Sequence, residues 1–124
     1  MIKFAVSIEP VAKGRPRFCN GRVITPAKTR AFEAMLGLVF KLHKPKELLL
    51  GPLDVTLVFQ LVRPKSSKRK YPSVKPDLDN FLKAVLDSGN GIFWKDDAQV
   101  VSLKASKQYG PSPWLAVDIK QLQE

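Results

Sequence analysis

Four aspartates carry the chemistry for which this chain is equipped. Asp77 and Asp79 stand two apart in Lys75-Pro76-Asp77-Leu78-Asp79-Asn80, and Asp96 and Asp97 are adjacent after Trp94-Lys95. They make up four of the 11 acidic residues in a chain with 21 Lys and Arg and a formal net charge of +10. Such an excess attracts polyanions. Carboxylates grouped inside that field would repel phosphate unless a cation lay between them. A metal-dependent phosphodiesterase needs this combination: basic residues hold a nucleic-acid backbone, and acids hold Mg²⁺ at the phosphate to be cut. Cys19 is the one cysteine and His43 the one histidine, so neither a thiolate nor a histidine site can be built. The ligands must be oxygens.

Each acid also has an ordinary explanation. Aspartate is a common helix N-cap, and Asp77-Leu78-Asp79 opens an apolar-periodic stretch. One aspartate satisfies a cap; the second calls for another role. Just before a first helical turn the backbone is irregular enough for both carboxylates to converge, and the positive end of the helix favours their ionised form. Lys83 lies one turn beyond Asp79. It can form an i,i+4 ion pair with it, or supply an ammonium to charge developing on phosphate. Asp96-Asp97 reads as a solvated turn unless it folds back beside the second helix, where one of the two would complete a three-oxygen site.

The elements that must position these residues follow from periodicity. Ile2, Phe4, Val6 and Ile8 alternate with polar or small residues, which predicts a half-buried strand over 2–9. Lys13-Gly14-Arg15-Pro16-Arg17 reads as a basic loop, and Arg22-Val23-Ile24 as a short second strand. Thr25-Pro26 is a helix start. Phe32, Met35, Leu36, Val39, Phe40 and His43 then recur at helical spacing to about residue 43, where Lys44-Pro45 stops the helix. Residues 53–62 alternate as a well-buried strand. Residues 63–75 are polar, basic and broken by proline, hence a loop. Leu78, Phe81, Leu82, Val85 and Leu86 form the stripe of a second helix, ended by Gly89-Asn90-Gly91. A strand is expected within 98–107, its buried face open, and a last one through Leu115, Val117 and Ile119. The expectation is an α+β fold: one domain over residues 1–124, a mixed β-sheet packed with two helices. The start of the chain does not have a signal-peptide pattern, and there is no apolar run of membrane-spanning length. A cytoplasmic, DNA-associated protein without a membrane partner or small-molecule cofactor is expected.

Pro76-Asp77-Leu78-Asp79-Asn80-Phe81-Leu82-Lys83-Ala84-Val85-Leu86-Asp87, with Asn90-Gly91-Ile92-Phe93-Trp94-Lys95-Asp96-Asp97-Ala98-Gln99-Val100, closely resembles the signature of RusA-like Holliday junction resolvases. Lys13-Gly14-Arg15-Pro16-Arg17 and the basic loop add to the likeness, which covers essentially the whole chain. The resemblance implies a Mg²⁺-dependent endonuclease, with Mn²⁺ a possible substitute, acting as a symmetric homodimer on branched DNA, the four-way junction. By position, Asp77, Asp79 and Asp97 match the family's catalytic acids and metal ligands. Lys83 matches its catalytic lysine, with Asp96 the weaker of the last two acids. The chain departs from the pattern at Asp87-Ser88-Gly89, where the glycine is expected to loosen the helix end.

Arg15, Arg17, Lys65, Lys68, Arg69 and Lys70 are the candidate phosphate contacts, positioned to bind by counterion release. Tyr71 could stack on an unpaired base or pack at a strand margin. A two-fold dimer with two sites suits the symmetry of a junction. Two rivals share the composition. A non-catalytic nucleic-acid-binding protein leaves the four aspartates unexplained. A nuclease for flaps or single strands differs only in how two sites are spaced.

Overall fold

The computed structural model describes residues 1–12, 17–24 and 26–123. Along the chain run β1 (Ile2–Val6), β2 (Arg17–Cys19), β3 (Arg22–Ile24), α1 (Ala27–His43), β4 (Leu53–Val62), α2 (Leu78–Gly89), a short 3₁₀ helix (Asp97–Gln99), β5 (Val100–Gly110) and β6 (Trp114–Gln121). Four strands form one sheet in the order β1-β6-β4-β5, and β2 pairs with β3 in a separate hairpin. The sheet is mixed: β6 is antiparallel to both β1 and β4, while β4 and β5 are parallel. The expected α+β class with two helices is present.

Strand β4 is interior, and its alternation explains why. Leu53, Val55, Leu57 and Phe59 are fully buried, whereas Asp54, Thr56 and Val58 on the other face are half-buried. Each fully buried aliphatic or aromatic side chain stabilises by about 1.5–3 kcal/mol relative to exposure. Phe59 stacks on Phe81 of α2 at 5.2 Å, which places α2 on the buried face of β4. Phe40 of α1 meets Phe4 and Phe93 at centroid distances of 5.8 and 5.1 Å.

Because β4 and β5 are parallel neighbours, the chain must cross from one end of the sheet to the other between them. That crossover holds the basic loop, α2 and the 3₁₀ helix, and so every candidate acid.

Several expectations change. The first strand stops at Val6, where the Ile8 amide turns back to the Val6 carbonyl at 3.1 Å. Arg17, expected in a loop, opens strand β2; Asn20 and Gly21, at φ 51 and 75, form the two-residue turn that joins it to β3. This is the Asn-Gly hairpin chemistry of left-handed turns. Arg15, and Thr25 as a helix cap, lie outside the described residues. Helix α1 buries a narrower stripe than the spacing predicts, Thr29, Phe32, Leu36 and Phe40, with Met35 54% exposed. Its His43 is exposed but lies flat on the Phe4 ring at 4.2 Å. Strand β5 begins only at Val100 and is an edge strand: Val101 and Leu103 stay exposed, and only in its second half does one face, Ala105, Lys107 and Tyr109, become half-buried.

Candidate active site

The first two acids sit at the start of α2. Phe81, Ala84 and Val85 are buried against the core, with Leu78, Leu82 and Leu86 packed beside them, and this stripe fixes the helix's rotation. Asp77 occupies the N-cap position with an extended backbone (φ −67, ψ 145) but makes no side-chain capping bond. The backbone closes the first turn alone, Asn80 donating to the Asp77 carbonyl at 3.1 Å. Asp79 lies in that turn, and both carboxylates are exposed. The capping explanation therefore does not account for Asp77.

From Asp79 one face of α2 continues through Lys83 to Asp87. At 100° per residue these positions lie about 40° and 80° around the helix, and Asp87 is about 12 Å further along it. Sequence reasoning passed over Asp87, although its spacing from Lys83 was the available signal.

Beyond α2 the chain reverses around Trp94. The indole is 2% exposed and donates from Nε1 to the Asn90 side-chain oxygen at 2.7 Å. The Gly91 amide, at φ 81, donates to the Trp94 carbonyl at 2.7 Å. Gly89 is the seat of this ring: a Cβ there would lie 2.5 Å from a Trp94 ring carbon. The expectation that Gly89 loosens the helix end is thus overturned by its close packing, and it is Gly91 that takes the left-handed conformation.

The turn after Trp94 divides labour between its two acids. The Asp96 side chain caps the 3₁₀ helix, accepting from the Ala98 amide at 2.9 Å. That bond, and a further one to the Asp97 carboxyl, hold its carboxyl below the usual range. Asp97 is half-buried, and its carboxyl is pushed up, first by partial burial and then by the neighbouring carboxylates of Asp96 and Asp87. Asp96 is thus used locally as a cap, whereas Asp97 is half-buried beside the carboxylates of Asp96 and Asp87.

Gln99 holds this turn in place, and sequence reasoning did not single it out. Its side-chain oxygen accepts from the Lys95 and Asp96 amides at 3.0 and 3.3 Å, and its nitrogen donates to the Leu49 and Gly51 carbonyls at 3.0 and 3.1 Å. A single amide uses both ends to tie the Asp97 turn to the segment before β4. The signal was the capping box of Asp96 with Gln99 three residues on.

The acids thus fall into two places, Asp77 with Asp79 at the start of α2, and Asp97 beside Asp87 and Asp96 toward its end. Among the described residues no three His, Cys, Asp or Glu form a group that could hold a metal ion. The 3₁₀ helix packs on α2, so one helix connects both places.

The basic loop between β4 and α2 leads directly into this region. Lys65, Lys68, Arg69 and Lys70 are exposed, and Tyr71 is 64% exposed with the Lys70 ammonium 5.5 Å from its ring centre. Its expected alternative, packing at a strand margin, does not hold. A groove of about 540 Å³ runs beside the loop's end, its wall including Val74, Lys75, Pro76, Phe81 and Tyr109. Arg63 lies over the Tyr109 ring at 5.3 Å. Arg17 stands on β2, in the hairpin. No helix among the described residues is long and apolar enough to cross a membrane.

The chain is similar to the uncharacterized protein YqaN of Bacillus subtilis (strain 168), 40% identical over 98% of this chain and 96% of that protein. The sequence pattern of the endodeoxyribonuclease RusA family matches residues 7–120, from just after β1 to near the end of β6, and spans both acid positions and the basic loop. On that match the chain belongs to the RusA family of endodeoxyribonucleases.

Proposed function

We propose that this member of the family is a Mg²⁺-dependent, structure-selective endonuclease that resolves four-way DNA junctions by paired phosphodiester hydrolysis in a symmetric dimer. The observation that carries the reading is Asp77: it stands where a helix cap would stand, yet its carboxylate is not used as one. With Asp79 it presents two exposed carboxylates in a protein of net charge +10. Such groups cost electrostatic attraction for DNA, and a cation would offset that cost.

The donor chemistry fits a hard cation. Asp77, Asp79 and Asp97 offer only oxygens, and Mg²⁺ binds through one or two carboxylates while keeping several waters, so it does not require three acids already in contact. Held by these residues, Mg²⁺ would supply Lewis-acid polarisation and a water of lowered pKa. The remaining work falls to the chain itself. Lys83, on the face of α2 that carries Asp79, is the cation for charge developing on the phosphate. Lys65, Lys68, Arg69 and Lys70 hold the DNA backbone, with Arg15 and Arg17 assigned the same task and Tyr71 a stacking platform for an unpaired base. For the dimer, Met35, Leu38 and Leu42 recur along α1 as exposed apolar side chains, a stripe that a second copy would cover.

The test is cleavage of synthetic four-way junctions, flaps and linear duplex, with and without metal. Junctions should be bound without metal and cut only with Mg²⁺ or Mn²⁺. Ca²⁺ should bind and support little cutting. Full cleavage in excess EDTA would end the metal assignment, and flaps cut in preference to junctions would make the protein a nuclease of another selectivity. Binding without cleavage under any metal would leave a non-catalytic binding protein.

A further inference from the structure

The segment that delivers Asp77 comes out of a loop with no regular structure. Among the described residues, that loop's own hydrogen bonds are local: Ser67 to Pro64, Arg69 to Ser67 and Ser73 to Tyr71. The Asp77 side chain makes no capping bond that would hold it. Something else must set its place, because a catalytic group is useful only when held to within about 0.5 Å.

We infer that Lys107 is a positioning residue, whose ammonium group fixes the approach to Asp77 and is not a DNA contact. Lys107 lies in β5 directly opposite Phe59 of β4, the residue whose ring carries α2 through Phe81. It is half-buried, on the same face of the strand as Ala105 and Tyr109. Its Nζ donates to the Val74 carbonyl at 2.8 Å and to the Pro76 carbonyl at 2.8 Å. These carbonyls belong to the residues three and one before Asp77. Two of the three ammonium protons are therefore spent on the backbone, and both bonds are short and charge-assisted. They join the end of the basic loop to the edge of the sheet. Composition alone would place Lys107 with the other 20 basic residues as a phosphate contact; the geometry gives it a different task.

This inference rests on the reading of Asp77 as a catalytic acid, and the experiment separates the two. Lys107→Met keeps the aliphatic stem and removes the donors. Each variant is measured for melting, for single-turnover junction cleavage against Mg²⁺ concentration, and for junction affinity against salt. Lys107→Met should remain folded, lose cleavage or raise the half-saturating Mg²⁺ concentration by about 10- to 100-fold, as loss of a supporting contact does, and leave the slope of log affinity against log salt unchanged. Lys107→Arg, which keeps the charge and has donors for both carbonyls, should recover much of the loss. Lys68→Met should instead reduce the slope by about one unit. If Lys107→Met does not fold, Lys107→Gln, neutral but still a donor, takes its place in the salt comparison, and a slope reduced by about one unit overturns the inference. Wild-type cleavage and Mg²⁺ dependence in Lys107→Met, beside an inactive Asp77→Asn, would overturn the positioning role and leave the catalytic reading standing. Wild-type cleavage by Asp77→Asn would overturn both.

Discussion

At the scale of single residues, Asp79 separates an enzyme from a binding module. Asp79→Asn keeps the size and removes the charge. Asp79 lies in the first turn of α2 and not at its cap, so losing its charge near the positive helix end should lower stability by no more than about 1 kcal/mol. Cleavage should fall by several orders of magnitude, while junction affinity holds or rises as a charge repelling phosphate is lost. Asp77→Asn and Asp97→Asn should behave alike. Asp118→Asn is the control, since Asp118 lies on β6 paired with Lys3 and Thr56. Near-normal single-turnover cleavage by a folded Asp79→Asn protein would remove the site. The two glycines Gly37 and Gly89 give a second residue-scale prediction with opposite signs. Gly89→Ala forces a methyl into the buried Trp94 ring and should destabilise by about 1–3 kcal/mol. Gly37→Ala, in α1 with nothing within 4 Å of the added carbon, should stabilise by about 0.5–1 kcal/mol. Melting curves that move in the same direction for both would contradict the packing. Asp77 and Asp79 are legible in the sequence because two acids exceed what one cap needs. Asp87 is marked only by its spacing from Lys83, and Lys107 by nothing: it reads as ordinary surface charge until the end of the loop is packed against it.

At the scale of elements, the proposed function assigns DNA affinity to the basic loop, while the turn after Trp94 contributes order. Replacing Lys68, Arg69 and Lys70 by alanine should weaken binding to every DNA structure and reduce the salt slope by about 0.9 unit for each phosphate contact removed. An unchanged slope in titrations over a range of salt would mean that the loop faces away from DNA. Elements with strong local signals are legible: β4 is found over residues 53–62 as the alternation predicts, and α2 starts and ends within a residue or two of its aspartates and glycines. Those without such signals are less so. Strand β5 is an edge strand with a parallel partner on one side, so its side chains do not alternate cleanly between core and water. The β2–β3 hairpin is short, and its one clear mark, Asn20-Gly21, is easily passed over beside so many basic residues.

For the whole molecule, the order of strands in the sheet decides which parts of the chain depend on one another. That order cannot be read from a single sequence, because the hydrophobic pattern of each strand says which face is buried and not which strand lies beside it. The halves of the chain on either side of the basic loop alternate across the sheet: β1 and β4 come from the first half, β6 and β5 from the second, in the order β1-β6-β4-β5. Every strand-to-strand seam in that sheet is therefore a seam between halves. One consequence concerns proteolysis. Lys65, Lys68, Arg69 and Lys70 are exposed in the loop, the kind of place where trypsin nicks a native chain. A single nick there would yield two pieces on a denaturing gel that still elute as one particle under native conditions, since neither piece can leave without opening all three seams. Bound junction DNA should protect the same bonds. The loop then serves as a built-in reporter, in which the rate of nicking measures occupancy by DNA while the body of the protein stays whole.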